Sequence, residues 1–247
     1  MYNIKSQGSV KMRKLNLKGN PFRVTPSVNS NEIVWAGFKN IKSRIERRIT
    51  RAINIPNTSL ILNWGEYGSG KTHALRYFCS QKVLEQLSNE CSIPYAIDLR
   101  FPKSKEPVKE IFTQIVDKLD IHAIREDIER QKLDIQRILS DITDNIFMQK
   151  VFSVMFDKRD GLFEGDPEGL EFKSFLYGTM DNKKFLSRGV SRKFTNDNDY
   201  IDFLAILFSI LTYEKKAYSC VILWIDEFED ISILNTTNIS NVNNFVR

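Results

Sequence analysis

"SLILNWGEYGSGKTHALRYF", residues 59–78, sets an apolar run, a glycine-rich stretch and an apolar-periodic stretch in immediate succession. The middle part carries Gly65 and Gly70 with four residues between them, followed by Lys71 and Thr72. Glycines at 65, 68 and 70 let a backbone curl so that successive N–H groups point inward. A helix that starts at the end of such a curl adds the positive end of its dipole. The product is a cradle for phosphate oxygens, formed by Gly65, Glu66, Tyr67, Gly68, Ser69, Gly70, Lys71, Thr72 and His73. Lys71 reaches the outer phosphates as a point charge, and the Thr72 hydroxyl is suited to ligate Mg²⁺. A glycine-rich turn that matches by accident is the plain alternative. Roughly one or two chains in a hundred of this length would carry the pattern by composition alone, so a second, independent feature is required.

That feature is "CVILWIDEFED", residues 220–230. Val221 to Ile225 form an unbroken apolar run of strand length, read as a buried strand ending at Asp226. A phosphate-bound Mg²⁺ needs a carboxylate at the end of a neighbouring strand, and Asp226 supplies it. Glu227 follows where a carboxylate can polarise an attacking water. By itself the acidic run is a solvated turn. Beside the 65–72 loop it completes a site in which Lys71 and Glu227 are catalytic, and Thr72 and Asp226 hold the metal.

The 247-residue length suits one large α/β domain, or a domain with an insertion. The apolar runs are too short to cross a membrane, and no secretory h-region follows the basic start. Cys79, Cys91 and Cys220 show no paired spacing, which fits reduced thiols in a cytoplasm. With His73 and His122 the only histidines, a histidine-rich metal site is excluded. The formal charge of +5 is mild, but its distribution is uneven. Residues 5–51 carry twelve Lys and Arg against Glu32 and Glu46. That basic end can meet DNA, or it can be a loose tail and a solvated helix face.

Periodicity sketches the remaining elements. Residues 1–19 read as a flexible basic tail. Ile41, Ile45, Ile49, Ala52 and Ile53 share a helical face that "IPN" at 55–57 ends. Residues 59–63 read as a buried strand, Lys71 to about Leu87 as one helix, and "YAIDLR", 95–100, as a second strand. The stretch 105–218 reads as helical. Within it Ile121, Ile124, Ile128, Ile135, Ile138, Ile142 and Ile146 form one amphipathic helix, 157–169 a loop, and 200–213 a strongly apolar helix.

"GEYGSGKT" looks like a Walker A motif and "VILWIDE" like a Walker B motif of the Asp-Glu type. Together they resemble the AAA+ and related P-loop ATPases, especially the origin-recognition branch. "NPF", 20–22, and "VWAGFKNIKSRIERRI", 34–49, resemble the segment and first helix that pack near adenine there, with Gly37-Phe38 where the family often has Gly-Arg. The resemblance covers roughly 20–100 and 220–247. It implies a P-loop NTPase three-layer sandwich with a mainly parallel central sheet, the whole domain spanning 20–247; the helical stretch at 105–218 has no match there and reads as a large insertion. It also implies ATP and Mg²⁺ as ligands, ATP hydrolysis coupled to conformational change on a macromolecular partner, DNA first, and assembly with like or unlike subunits. A slow nucleotide switch of the STAND type, acting as a signalling scaffold, is the alternative. The family's sensor residues, arginine finger and lid would lie beyond Arg247, so the chain reads as part of a longer protein.

Other P-loop classes fit less well. The GTPase Asn-Lys-x-Asp is absent, since "NKKF" at 182–185 lacks the Asp, and so is the Leu-Ser-Gly-Gly signature of ABC ATPases. Among lesser candidates, Trp35 and Phe38 can flank a base or simply pack. Trp64 can shield the nucleotide or pack at a strand end, and Tyr67 can touch a partner subunit. Glu229 is a spare base, and with Asp230 it reads as solvated.

Overall fold

The computed structural model describes residues 33–56, 58–66, 68–157, 163, 165–166, 169–179 and 183–246. The basic tail at 1–19, the "NPF" segment and Tyr67 lie outside the described residues. The 157–169 loop lies partly outside them.

The chain runs through α1 (Lys39–Asn54), α2 (Lys71–Phe78), α3 (Gln81–Ser88), β1 (Tyr95–Arg100), α4 (Pro107–Lys118), α5 (Ile121–Arg130), α6 (Ile135–Ile142), α7 (Ile146–Phe156), α8 (Leu170–Leu176), α9 (Lys183–Leu186) and α10 (Asp197–Leu211). It then enters β2 (Val221–Asp226), a 3₁₀ turn (Phe228–Ile233) and α11 (Thr236–Val246). The fold is α/β, mostly helical, around a parallel pair of strands running from Tyr95 opposite Val221 to Arg100 opposite Asp226.

Alternation along the strands sends side chains to two different helical layers, as the period of a strand requires. Ile97, Leu99, Val221, Leu223 and Ile225 join the main core with α4 to α8 and α10. That core is rich in phenylalanine: Phe112, Phe152, Phe172, Phe175, Phe185 and Phe203 are each no more than 1% exposed. On the opposite face, Ile222 and Trp224 pack against a smaller cluster made by Ile49, Ile53, Ala74, Tyr77, Phe78 and Val83. Thus α1, α2 and α3 cover one side of the strands and the long helical crossover covers the other.

Three expectations are corrected. First, residues 59–63 are neither a strand nor buried: Leu60, Ile61, Leu62 and Trp64 are 66%, 46%, 70% and 86% exposed. A parallel strand is stable only when neighbours satisfy its backbone and helices cover its faces, and among the described residues the sheet contains only β1 and β2. For the same reason the sheet stops short of the expected three-layer P-loop sandwich, and every residue of β2 is only half-buried. Second, the helix expected from Lys71 to Leu87 breaks at Cys79-Ser80. Ser80 is extended (φ −71°, ψ 133°), and its hydroxyl donates to the Tyr77 carbonyl (2.6 Å), which competes with the helical ladder. Third, the isoleucine series from 121 to 146 spans three helices, not one. Asp120, Asp134 and Asn145 each accept a hydrogen bond from a first-turn N–H (of Ala123, Arg137 and Met148) and so restart the helix.

No described helix is long and apolar enough to cross a membrane. The three cysteines are free, and burial pushes the Cys79 and Cys220 thiols up.

Candidate functional site

The glycine loop is a tight turn closed on itself. Gly68 (φ 79°) and Gly70 (φ 89°) occupy the left-handed region, where other residues are strained. Gly65 serves a different need: a Cβ there would stand 2.6 Å from Ser69 Oγ and 3.3 Å from Ser69 Cβ, so the Ser69 side chain would have to shift. Ser69 N–H donates to the Glu66 carbonyl (3.1 Å), and Ala74 N–H to that of Gly70 (2.9 Å), which starts α2. Lys71 Nζ folds back onto the loop, donating to the carbonyls of Gly65 (2.8 Å) and Glu66 (3.3 Å). The ammonium therefore sits at the mouth of the turn, held by groups that a phosphate oxygen can replace.

The two acidic positions come from the far end of the sequence. Thr72 Oγ1 donates to Asp226 Oδ2 at 2.7 Å across 154 residues of chain. Asp226 Oδ1 accepts the Glu227 N–H (3.0 Å). The contact is maintained from below: Phe78, fully buried on α2, stacks on Trp224 of β2 with ring centroids 6.0 Å apart and planes 8° from parallel. Trp224 Nε1 is buried without a hydrogen-bond partner among the described residues.

Glu227 itself is in the left-handed region (φ 59°, ψ 32°), which turns the chain from β2 into the 3₁₀ segment. Its carboxylate is 3.2 Å from Lys103 Nζ, and Asp230 is 2.8 Å from the same ammonium. The Asp230 carboxylate, and then that of Glu227, holds the Lys103 ammonium above its ordinary value. Asp230 was expected to be solvated and is instead paired, while Glu229 is exposed. Lys103 was not singled out by its own neighbourhood, "FPKSKE". Its partners lie over a hundred residues away, and no local pattern announces them.

His73 donates from Nε2 to the Val34 carbonyl (3.0 Å), tying the segment before α1 to the start of α2. Trp35 is spent on packing, with its ring 5.3 Å from Tyr77 and 5.5 Å from Phe78 and its indole N–H on the Gly37 carbonyl (2.7 Å). Phe38 is 70% exposed, in a left-handed turn next to Gly37.

No family model, curated protein or solved structure matches this chain.

The site therefore has to be read from its own chemistry. Among the described residues no group of three or more His, Cys, Asp or Glu could hold a metal ion. What the site offers is one hydroxyl and one carboxylate oxygen in contact, beside an ammonium at the mouth of a backbone turn. Mg²⁺ suits such a pair, because it prefers hard oxygen donors and is commonly held by one or two protein groups, with phosphates and water completing its shell.

Proposed function

We propose that this chain is an ATP-binding, ATP-hydrolysing P-loop module of AAA+ type that couples nucleotide state to conformational change on a macromolecular partner. The observation that carries the reading is the 2.7 Å bond between Thr72 and Asp226. Two motifs, each of which has an ordinary explanation alone, meet at the pair of oxygens that a nucleotide-bound cation requires. Thr72 and Asp226 would hold Mg²⁺, which when bound neutralises phosphate charge and favours in-line displacement. Lys71 leaves the Gly65 and Glu66 carbonyls for the outer phosphates, and the N–H groups from Gly68 to Thr72 take the oxygens between. Glu227 accepts the proton of a water whose oxygen bonds to the γ-phosphorus. The bond from that phosphorus to the β–γ bridging oxygen breaks, and its electron pair leaves on ADP.

Calorimetry with ATP–Mg²⁺ tests the reading, with GTP and Lys71→Ala as controls. Binding that prefers adenine and disappears with Lys71 is expected. Binding indifferent to Lys71 overturns the cradle.

DNA is the first partner to try. Along α1, Lys39, Arg44, Arg47, Arg48 and Arg51 are exposed, while Lys42 is partly engaged by Glu46 (3.6 Å) and by the Tyr77 ring (5.2 Å). Binding through such residues weakens steeply with salt, and salt-indifferent binding would remove them from the interface. A slow switch of the STAND type is the second reading. The ion pair that occupies Glu227 favours it.

A further inference from the structure

We propose that the cleft between the end of α5, the start of α6 and the end of α7 binds an apolar carboxylate, anchored by Arg125 and Lys132. The proposal is independent of the nucleotide reading, because the cleft lies within the helical crossover between β1 and β2.

The cleft measures about 410 Å³, which is within the range of small-molecule sites. Its floor is apolar. Ile128 is only 3% exposed, while Leu133, Ile135 and Phe156 pack against the main core on one side and line the cleft on the other. Sites of this kind bind through the apolar floor and set orientation with a few polar groups.

The turn from α5 to α6 places the first of those groups. Lys132 N–H donates to the Glu129 carbonyl (2.7 Å), and Leu133 N–H to that of Ile128 (3.2 Å). These paired bonds close a helix around one left-handed residue, usually glycine. Here that residue is Lys132, with φ 51°. Glycine would adopt this backbone at less cost. Strain held in a non-glycine residue gathers at functional sites, and this strain sets an ammonium at the rim of the cleft.

Arg125 is the second cation. Its guanidinium lies 4.1 Å from the centre of the Phe163 ring and donates from Nη2 to the Asp157 carbonyl (3.0 Å). The two contacts fix its plane, and a fixed planar fork suits a carboxylate. Burial lowers the guanidinium from its ordinary value by more than the nearby Asp157 and Glu129 carboxylates return, so an incoming anion stabilises it. Two acids share the rim. Asp134 accepts the Arg137 N–H (3.2 Å) and is spent on capping α6. Glu129 is exposed, where salt and water screen its charge more than that of the half-buried Arg125. The chemistry that fits is a carboxylate on an apolar body. A free aliphatic acid has it, and so does the C-terminal residue of a protein that ends on a large apolar side chain.

Titration of the full chain, followed by amide NMR, tests the cleft with two probes: hexanoate, and N-acetyl-glycyl-leucine with its carboxylate free. Binding with a Kd on the order of 1 mM is expected, with shifts centred on Leu133 and Ile135; the tighter probe names the source. The absence of saturable shifts there with both acids overturns the site. Hexanamide is expected to bind about tenfold more weakly than hexanoate, and equal binding overturns the carboxylate. Arg125→Met is expected to weaken both acids about tenfold. Because that change touches a half-buried group, Lys132→Gly is the independent check. It relieves the strained turn, so it is expected to raise Tm while weakening both acids about threefold. Full affinity in a Lys132→Gly protein of raised Tm overturns the assignment of the rim.

Discussion

Removing the Phe78 ring should detach the glycine loop from β2 while leaving most of the protein folded. Phe78 is fully buried. Its ring stacks on Trp224, meets Tyr77 at right angles with centroids 5.1 Å apart, and lies 5.5 Å from Trp35. Phe→Ala at a site of this kind costs about 3–5 kcal/mol, the lost transfer energy plus the cavity left behind. The cluster that Phe78 joins has, among the described residues, six buried members including Phe78 itself, and it is separate from the phenylalanine-rich core on the other face of the strands. The loss should therefore fall locally. A local cost of about 3 kcal/mol corresponds to roughly a hundredfold faster opening. Hydrogen exchange read by mass spectrometry should show α2 amides accelerated by that order in Phe78→Ala, while those of α4 and α10 keep their rates. Affinity for ATP–Mg²⁺ should fall with them, since Thr72 no longer stands against Asp226. Unchanged protection of α2 would refute the argument that this stack holds the loop in place. Equal acceleration in α4 and α10 would refute the separation of the two clusters.

Gly65→Ala should reduce ATP affinity about tenfold, roughly 1.4 kcal/mol, because the added methyl meets Ser69 Oγ at 2.6 Å and the Ser69 side chain must shift. Titration calorimetry reads it, and unchanged affinity would show that the turn relaxes freely. Asp226→Asn should leave nucleotide binding without Mg²⁺ nearly intact and abolish most of its enhancement by Mg²⁺; an enhancement equal to that of the unaltered protein would take Asp226 out of the metal site. Asp199→Asn on α10 tests the main core. Burial pushes the Asp199 carboxyl up, but the Arg192 guanidinium (2.7 Å from each oxygen) and the Thr195 N–H (2.9 Å) hold it below its ordinary value. A depressed carboxyl stabilises above its unfolded value, about 3.9, and that contribution fades as pH falls through the folded value. The variant should lose about 2 kcal/mol at pH 6, discounted for the exposed side of Arg192. Urea midpoints at pH 6 and pH 3 should converge between the two proteins; an equal gap at both pH values would refute the linkage.

How much of this was legible beforehand depended on the range over which each signal acts. β1 and β2 were readable because a run such as "VILWID" is apolar on both faces, whatever its neighbours do. Helix α1 was readable from Ile45, Ile49 and Ile53. The roles of Gly68 and Gly70 follow from the left-handed backbone that glycine alone adopts cheaply. The isoleucine series misled because periodicity continues across a break if the next helix starts in phase; the caps at Asp120, Asp134 and Asn145 were the local signal to weigh. The exposed 60–64 run misled for the opposite reason, since burial of a strand depends on neighbours that its own sequence does not contain. Lys103 was invisible because its partners arrive from beyond the crossover.

The parallel pairing of Tyr95 with Val221 carries a consequence for the order of assembly. The helices from α4 to α10 lie between the paired strands and share one core, in which partners such as Phe112 and Phe203 are distant in sequence, so closing that long loop is part of pairing the strands. β2 lies against β1 only where that crossover brings its two ends together. The contact between Thr72 and Asp226 thus belongs to the slow, non-local part of the fold, and the proposed nucleotide site depends on it.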